Sequence, residues 1–224
     1  MKYTAIIFDL DGTLLNTLED LADSVNAVLQ QNGFSVHDLE MYKYFIGDGI
    51  ANLVRRALPP GADNAIISKL INSVKEEYNR RWARKTKPYP GIPELLRELQ
   101  TLKIPVAILT NKPDSAAQNV VRHFFPDSRF EIIQGAIPSL PLKPDPSGAL
   151  AIAAAMKIAP DQFLYLGDTG TDMQTAVAAG MHPVGVLWGF RTGAELLQNG
   201  AELLLEKPVQ LLDILKEGSE AKND

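Results

Sequence analysis

The sequence predicts an α/β protein, a parallel-sheet core into which a bundle of helices is inserted. Three observations carry that expectation. Residues 3–8 are almost wholly apolar and rich in β-formers, then stop at Asp9, as a strand buried on both faces would. Residues 16–84 show helical periodicity with no strand pattern. From Lys87 onward, apolar runs alternate with stretches of helical pattern, the grammar of βαβ units and a parallel sheet.

Taken in order, the first strand runs into Asp9-Leu10-Asp11-Gly12-Thr13. Leu18, Leu21, Ala22, Val25, Val28 and Leu29 then mark a helix, with Thr17 as N-cap, Glu19 and Asp20 in the first turn and Gly33 past the end. Shorter helices are expected over 38–45 and 50–58, the latter stopped by Pro59-Pro60, and a longer one through Ile67, Leu70, Val74, Tyr78 and Trp82. Together they make a small bundle. Pro88, Pro90, Gly91 and Pro93 mark a joint. Beyond it the pattern predicts helix 93–102, strand 105–109, helix 114–125, strand 130–133, a proline-rich loop 137–146 and helix 147–156. Strand 163–166, helix 172–179 closed by Gly180, strand 183–187 and two terminal helices complete the chain. The expected division is a Rossmann-like core of residues 1–15 and 85–224, with residues 16–84 as the helical insert.

Composition narrows the function. With 46% hydrophobic and 22% charged residues in 224, this is an ordinary globular chain, long enough for a core plus a smaller module. A net charge of −5 with no basic track argues against nucleic acid. The absence of cysteine excludes disulfides, thiolate metal sites and a cysteine nucleophile. Because the initial apolar run is cut at Asp9 and no later run could span a bilayer, a cytoplasmic protein without membrane association is expected, as monomer or homodimer. His37, His123 and His182 have neither metal-ligand spacing nor a serine partner pattern.

In a parallel sheet the ligand crevice lies outside the carboxyl ends of the strands, so Asp9, Thr110, Lys143 and Asp168 should converge there. Asp9 and Asp11, two apart on an extended chain, share a face. Gly12 lets backbone N–H groups approach a ligand, and Thr13 adds a hydroxyl. With Asp172 one turn past Asp168, the inventory is four carboxylates, one lysine and the donors Thr13, Thr110 and Asn111. All-oxygen ligation favours a hard cation, and Mg²⁺ takes one or two carboxylates plus water and phosphate oxygens. The lysine and the neutral donors suit phosphoryl oxygens. A carboxylate facing a bound phosphoryl group can attack it, while a second carboxyl relays the proton.

Four stretches, Asp9-Leu10-Asp11-Gly12-Thr13-Leu14, Thr110-Asn111-Lys112, Lys143-Pro144-Asp145-Pro146 and Gly167-Asp168-Thr169-Gly170-Thr171-Asp172, resemble in order and context the motifs of the haloacid dehalogenase superfamily of phosphohydrolases. The resemblance implies Asp9 as nucleophile and metal ligand, and Asp11 as general acid/base whose backbone carbonyl also ligates Mg²⁺. It implies Thr110 and Lys143 as phosphoryl holders with Asn111 beside them, Asp168 as metal ligand, and Asp172 as a ligand or its support. An aspartate at position 11 favours phosphoryl chemistry over carbon–halogen cleavage. Asn16-Thr17 stands where many relatives carry Asp-Ser or Asp-Thr, a departure that leaves the catalytic set intact.

The helical insert corresponds in that family to a mobile cap, which excludes water and selects the leaving group. Ile46-Gly47-Asp48-Gly49-Ile50, followed by Leu53, Val54, Arg55 and Arg56, is similar to the cap segment of phosphoglycolate phosphatases. That likeness implies Gly47, Asp48, Gly49 and Arg55 as specificity residues and a small phosphorylated metabolite as substrate. Pyrophosphatase, nucleotidase, sugar phosphatase or phosphomutase and phosphonatase chemistry share the same core motifs, as would a phospholigand-binding module without turnover.

Overall fold

The computed structural model describes residues 3–220. Its centre is a six-stranded parallel sheet of β1 (Ala5–Phe8), β4 (Val106–Pro113), β5 (Ile132–Ala136), β6 (Phe163–Gly167), β7 (His182–Val186) and β8 (Leu203–Leu205), in the order β5-β4-β1-β6-β7-β8. The chain builds outward from β1 on one side, then returns to lay β6 on the other. That reversal puts a crevice at the carboxyl end of β1.

Alternation along β1 explains the two layers around the sheet. Ile6 and Phe8 face a core completed by α5 (Ile92–Thr101), α6 (Asp114–Phe124) and the terminal helix α10 (Gln210–Glu220). Ala5 and Ile7 face a second core under α7 (Ser147–Met156) and α8 (Gly170–Ala179). Gly180, in the left-handed region at φ 69°, ends α8 as its position predicts.

The four helices of the insert, α1 (Leu18–Gln31), α2 (Leu39–Phe45), α3 (Ile50–Ala57) and α4 (Asn64–Arg81), enclose a third core of their own, around Leu21, Val25, Tyr42, Leu53, Leu70 and Val74. One residue of the sheet domain joins it: Phe190, from the loop after β7, is buried there. No helix among the described residues is long and apolar enough to cross a membrane.

Several elements differ from expectation. The fifth strand lies at 132–136 instead of 130–133, because Gly135, pressed against the Asp114 backbone, donates its N–H to Asp114 Oδ1 at 2.9 Å and fixes the register there. Strand β8, a three-residue edge, sits where only helices were expected, between α9 (Gly193–Gln198) and α10. Thr17 occupies the N-cap position but, at ψ 2°, lacks the extended backbone that aims a hydroxyl at the helix. Asn16 Oδ1 takes the Leu18 N–H instead, at 3.3 Å.

The insert is joined to the core by a two-stranded antiparallel ribbon, β2 (Leu15–Asn16) with β3 (Lys87–Pro88). Beside it Asp20, fully buried in the first turn of α1, accepts the Lys85 and Thr86 N–H groups and the Thr86 hydroxyl, the last two at 2.8 Å. One carboxylate thus ties the entering helix to the departing chain. Its removal would leave buried donors unsatisfied at a cost of about 2 to 4 kcal/mol. Asp20→Ala should therefore lower the urea midpoint by an amount equivalent to that cost, and a midpoint unchanged from the parent would show that the clamp carries no load.

Candidate active site

Asp9 follows β1 directly. Its N–H bonds to Leu166 O of the neighbouring strand at 2.9 Å, which fixes the carboxylate at the sheet's carboxyl edge. Lys143 approaches from the loop before α7. Its ammonium donates to Asp9 Oδ1 at 2.8 Å, Asp172 Oδ1 at 2.6 Å and Leu109 O at 3.3 Å, with the side chain only 3% exposed. Asn111 sets that loop, accepting the Lys143 N–H at 2.9 Å and donating to Lys143 O at 3.2 Å.

Asp168 follows β6 and is held by the Thr13 hydroxyl at 3.1 Å on Oδ1 and by the Phe190 N–H at 2.8 Å on Oδ2. Asp172, in the first turn of α8, closes a capping box with Thr169, whose N–H and hydroxyl both reach Asp172 Oδ2. The neighbouring backbone packs tightly enough that a Cβ on Gly12 would stand 2.2 Å from Asp168 Oδ2, and one on Gly167 2.2 Å from Asp172 Cβ. Asp9, Asp168 and Asp172, all buried, each offer an oxygen within 4.8 Å of the others. Three convergent carboxylate oxygens, with one lysine against their charge, form a donor set fit for a hard divalent cation.

Asp11 lies beside this cluster, gripped by Lys112 Nζ at 3.0 and 2.9 Å to its two oxygens. The same ammonium sits 4.8 Å from the centre of the Tyr78 ring, on α4 of the insert. Above Asp9, Asp11, Thr110 and Asn111 opens a cavity of about 330 Å³, its opposite wall formed by Leu21, Ile50, Leu53, Lys75, Tyr78 and Asn79. Thr110 Oγ1 accepts the Lys112 N–H at 3.2 Å, which leaves the hydroxyl proton for a ligand. A cavity of this size, with polar groups converging on one wall and apolar side chains on the other, is suited to a small molecule.

The family model of haloacid dehalogenase-like hydrolases matches residues 6–186. The chain belongs to that family. It is 31% identical to a phosphoglycolate phosphatase of Chromobacterium violaceum over 218 residues, covering 96% of this chain and 97% of that one. A phosphoglycolate phosphatase of Nitrosospira multiformis is 31% identical over 220 residues, with 96% of each covered. Among solved structures, a haloacid dehalogenase-like protein of Streptococcus pneumoniae superposes with a TM-score of 0.87 at 26% identity, covering 96% of this chain and 99% of that one. This haloacid dehalogenase-like hydrolase is therefore an enzyme of the family's phosphatase type.

Burial dominates the electrostatics of the site. It pushes the Asp9 carboxyl up to about 7, with the Lys143 ammonium pulling the other way and Asp172 adding to the rise. Asp168 is raised well above the usual carboxylate range by burial first and then by the charges of Asp9 and Asp172. For Lys143 burial works against the charge, but Asp172 and Asp9 outweigh it and hold the ammonium well above its ordinary value. Burial and mutual repulsion thus shift Asp9 and Asp168 of this haloacid dehalogenase-like hydrolase toward their protonated forms, while Lys143 stays charged.

Most residues singled out by sequence meet here: Asp9, Asp11, Thr110, Asn111, Lys143, Asp168 and Asp172 share the crevice. Gly12 and Thr13 have partners within the protein. The Gly12 N–H bonds to Leu15 O at 2.8 Å and the Thr13 hydroxyl is engaged by Asp168, so both build the floor of the site. Gly47 and Gly49 line the cavity, whereas Asp48 binds Arg56 and the Thr171 hydroxyl, and Arg55 projects outward to Asn52. Lys112, Lys75, Tyr78 and Asn79 were not singled out as site residues. Lys112 was within reach of sequence reasoning, since it belongs to the Thr110-Asn111-Lys112 stretch, but the α4 residues carried no signal beyond their helical spacing.

An acid raised on folding supports the fold fully below its ordinary 3.8 and loses that contribution as pH rises through its folded value, about 7 for Asp9. The melting temperature of metal-free protein should therefore fall over that interval more steeply than that of Asp9→Asn. Adding Mg²⁺ should restore the loss, with a larger shift at neutral than at mildly acid pH. A melting temperature indifferent to the cation throughout would remove the carboxylate cluster as a metal site.

Proposed function

We propose that this chain is a Mg²⁺-dependent phosphomonoesterase acting on a small anionic metabolite, with 2-phosphoglycolate as first-choice substrate. Residues 16–84 serve as its cap and residues 1–15 and 85–224 as its core. The observation that carries the reading is the meeting of Asp9, Asp11, Lys143, Asp168 and Asp172 beneath a lidded cavity of a few hundred Å³. The substrate choice is supported by relatives named phosphoglycolate phosphatase that align along nearly the whole chain.

In this reading Asp9, Asp168 and the Asp11 carbonyl hold the cation, with Asp172 as ligand or support. When bound, Mg²⁺ offsets the repulsion between an anionic nucleophile and an anionic phosphoryl group. Asp9 Oδ1 is held by Lys143, so the other oxygen, Oδ2, is the one free to attack. The Asp9 Oδ2–phosphorus bond forms as the bond to the leaving oxygen breaks, and Asp11 supplies the proton that oxygen needs. Water then attacks the aspartyl-phosphate, Asp11 takes its proton, and inorganic phosphate leaves with the Asp9 carboxylate restored. The Lys143 ammonium and the Thr110 hydroxyl hold phosphoryl oxygens throughout. The cap wall keeps bulk water from the site during the first half-reaction.

Phosphate release should be measured over a panel of 2-phosphoglycolate, pyrophosphate, sugar phosphates, nucleotides and a phosphonoaldehyde, with and without Mg²⁺. The expected profile is Mg²⁺-dependent release with 2-phosphoglycolate at the top. Asp9→Asn should lower kcat by at least about a thousandfold while circular dichroism stays that of the parent. Release from none of the panel, or full activity in Asp9→Asn, would overturn the mechanism.

A further inference from the structure

Lys75 is a cation that lines the cavity yet has no hydrogen bond or ion pair among the described residues. The other two lysines of the site are both engaged, Lys112 by Asp11 and Lys143 by Asp9 and Asp172. Lys75 stands on α4, three and four residues before Tyr78 and Asn79, so the three share a face, and all three line the cavity. Tyr78 fixes where that face looks, because its ring lies 4.8 Å from the ammonium that grips Asp11. Lys75 thus opens onto the same cavity as Asp9 and Asp11, from the cap side, across a collar containing Leu21, Ile50 and Leu53.

A ligand held at Asp9 by its phosphoryl group would have to place its remainder against this wall. The collar offers only apolar contact, and Asn79 only neutral donors and an acceptor. Lys75 and Asn79 are exposed at the rim of the cavity, and a ligand that fills it would shield the ammonium from water and strengthen its pull on an anion. We propose that Lys75 is a specificity residue that reads a carboxylate on the leaving part of the substrate, with Asn79 beside it as a hydrogen-bond donor. This deepens the phosphomonoesterase reading above and rests on it. Because no hydrogen bond or ion pair holds Lys75 among the described residues, its ammonium is available to a ligand that fills the cavity.

The test compares two esters of the same carbon skeleton, 2-phosphoglycolate and 2-hydroxyethyl phosphate, which differ by a carboxylate against a neutral CH₂OH. The wild type should prefer the carboxylate ester. Lys75→Met should reduce that preference, as the ratio of the two kcat/KM values, by about 10- to 100-fold, chiefly through a higher KM for the acid. Lys75→Arg should recover most of the ratio. Lys69→Met, on another face of the same helix, should keep it. A ratio unmoved in Lys75→Met, whether both esters stay fast or both slow together, would overturn the assignment. A wild type inert toward every phosphoester would instead overturn the phosphatase reading, a result distinct from an unmoved ratio.

Discussion

Lys143 places one ammonium between two buried carboxylates, 2.8 Å from Asp9 and 2.6 Å from Asp172, and the rest of the site is arranged so that this contact can exist. Removing Lys143 would leave two buried carboxylates without their shared counter-charge, whereas loss of either carboxylate alone would leave the ammonium paired with the other. Each participant is accordingly held by its own element: Asp9 by pairing of its N–H to β6, Asp172 by its capping box, Lys143 by the two hydrogen bonds of Asn111. Asp168 adds a third carboxylate to the cluster. A hard divalent cation among the three carboxylates would offset their repulsion, the role Mg²⁺ has in the proposed mechanism.

Much of the fold was legible because the sheet is buried on both faces. Strands such as β1 and β6 then read as continuous apolar runs, and the helices between them as amphipathic stripes. What escaped were elements whose pairing is decided by neighbours. β8 is three residues at an edge, β2 and β3 are two residues each, and the register of β5 is set by a single hydrogen bond from Gly135 to Asp114. No periodicity develops over so few residues. Thr17 illustrates the same limit: its residue type favours capping, but the turn from β2 into α1 imposes a backbone angle that prevents it.

The acidic floor of the site was legible for a topological reason, since strand ends in a parallel sheet share one edge. The lid was not. Which residues of an inserted bundle face inward depends on how the bundle sits on the core, and that is set by contacts among distant residues. Asn111 donates to Gly47 O, Thr171 to Asp48, and Arg191 to Ile46 O, each joining a core side chain to the loop before α3. Those contacts turn Asp48 toward α8 and fasten the loop before α3 to the core. Gly12 shows the reverse case, in which the residue type was noted for ligand approach, whereas its missing Cβ makes room for Asp168.

Phe190 has one foot in each half of the molecule: its backbone N–H binds Asp168 at 2.8 Å, while its ring is buried among the helices of the insert. Swinging those helices outward either strips the ring of its apolar surroundings, at about 2 to 3 kcal/mol, or drags the donor away from the carboxylate. In either case the helices and the carboxylate are coupled through this one residue. The packing of one aromatic ring among the helices and the placing of one carboxylate at the edge of the sheet are thus settled by a single residue.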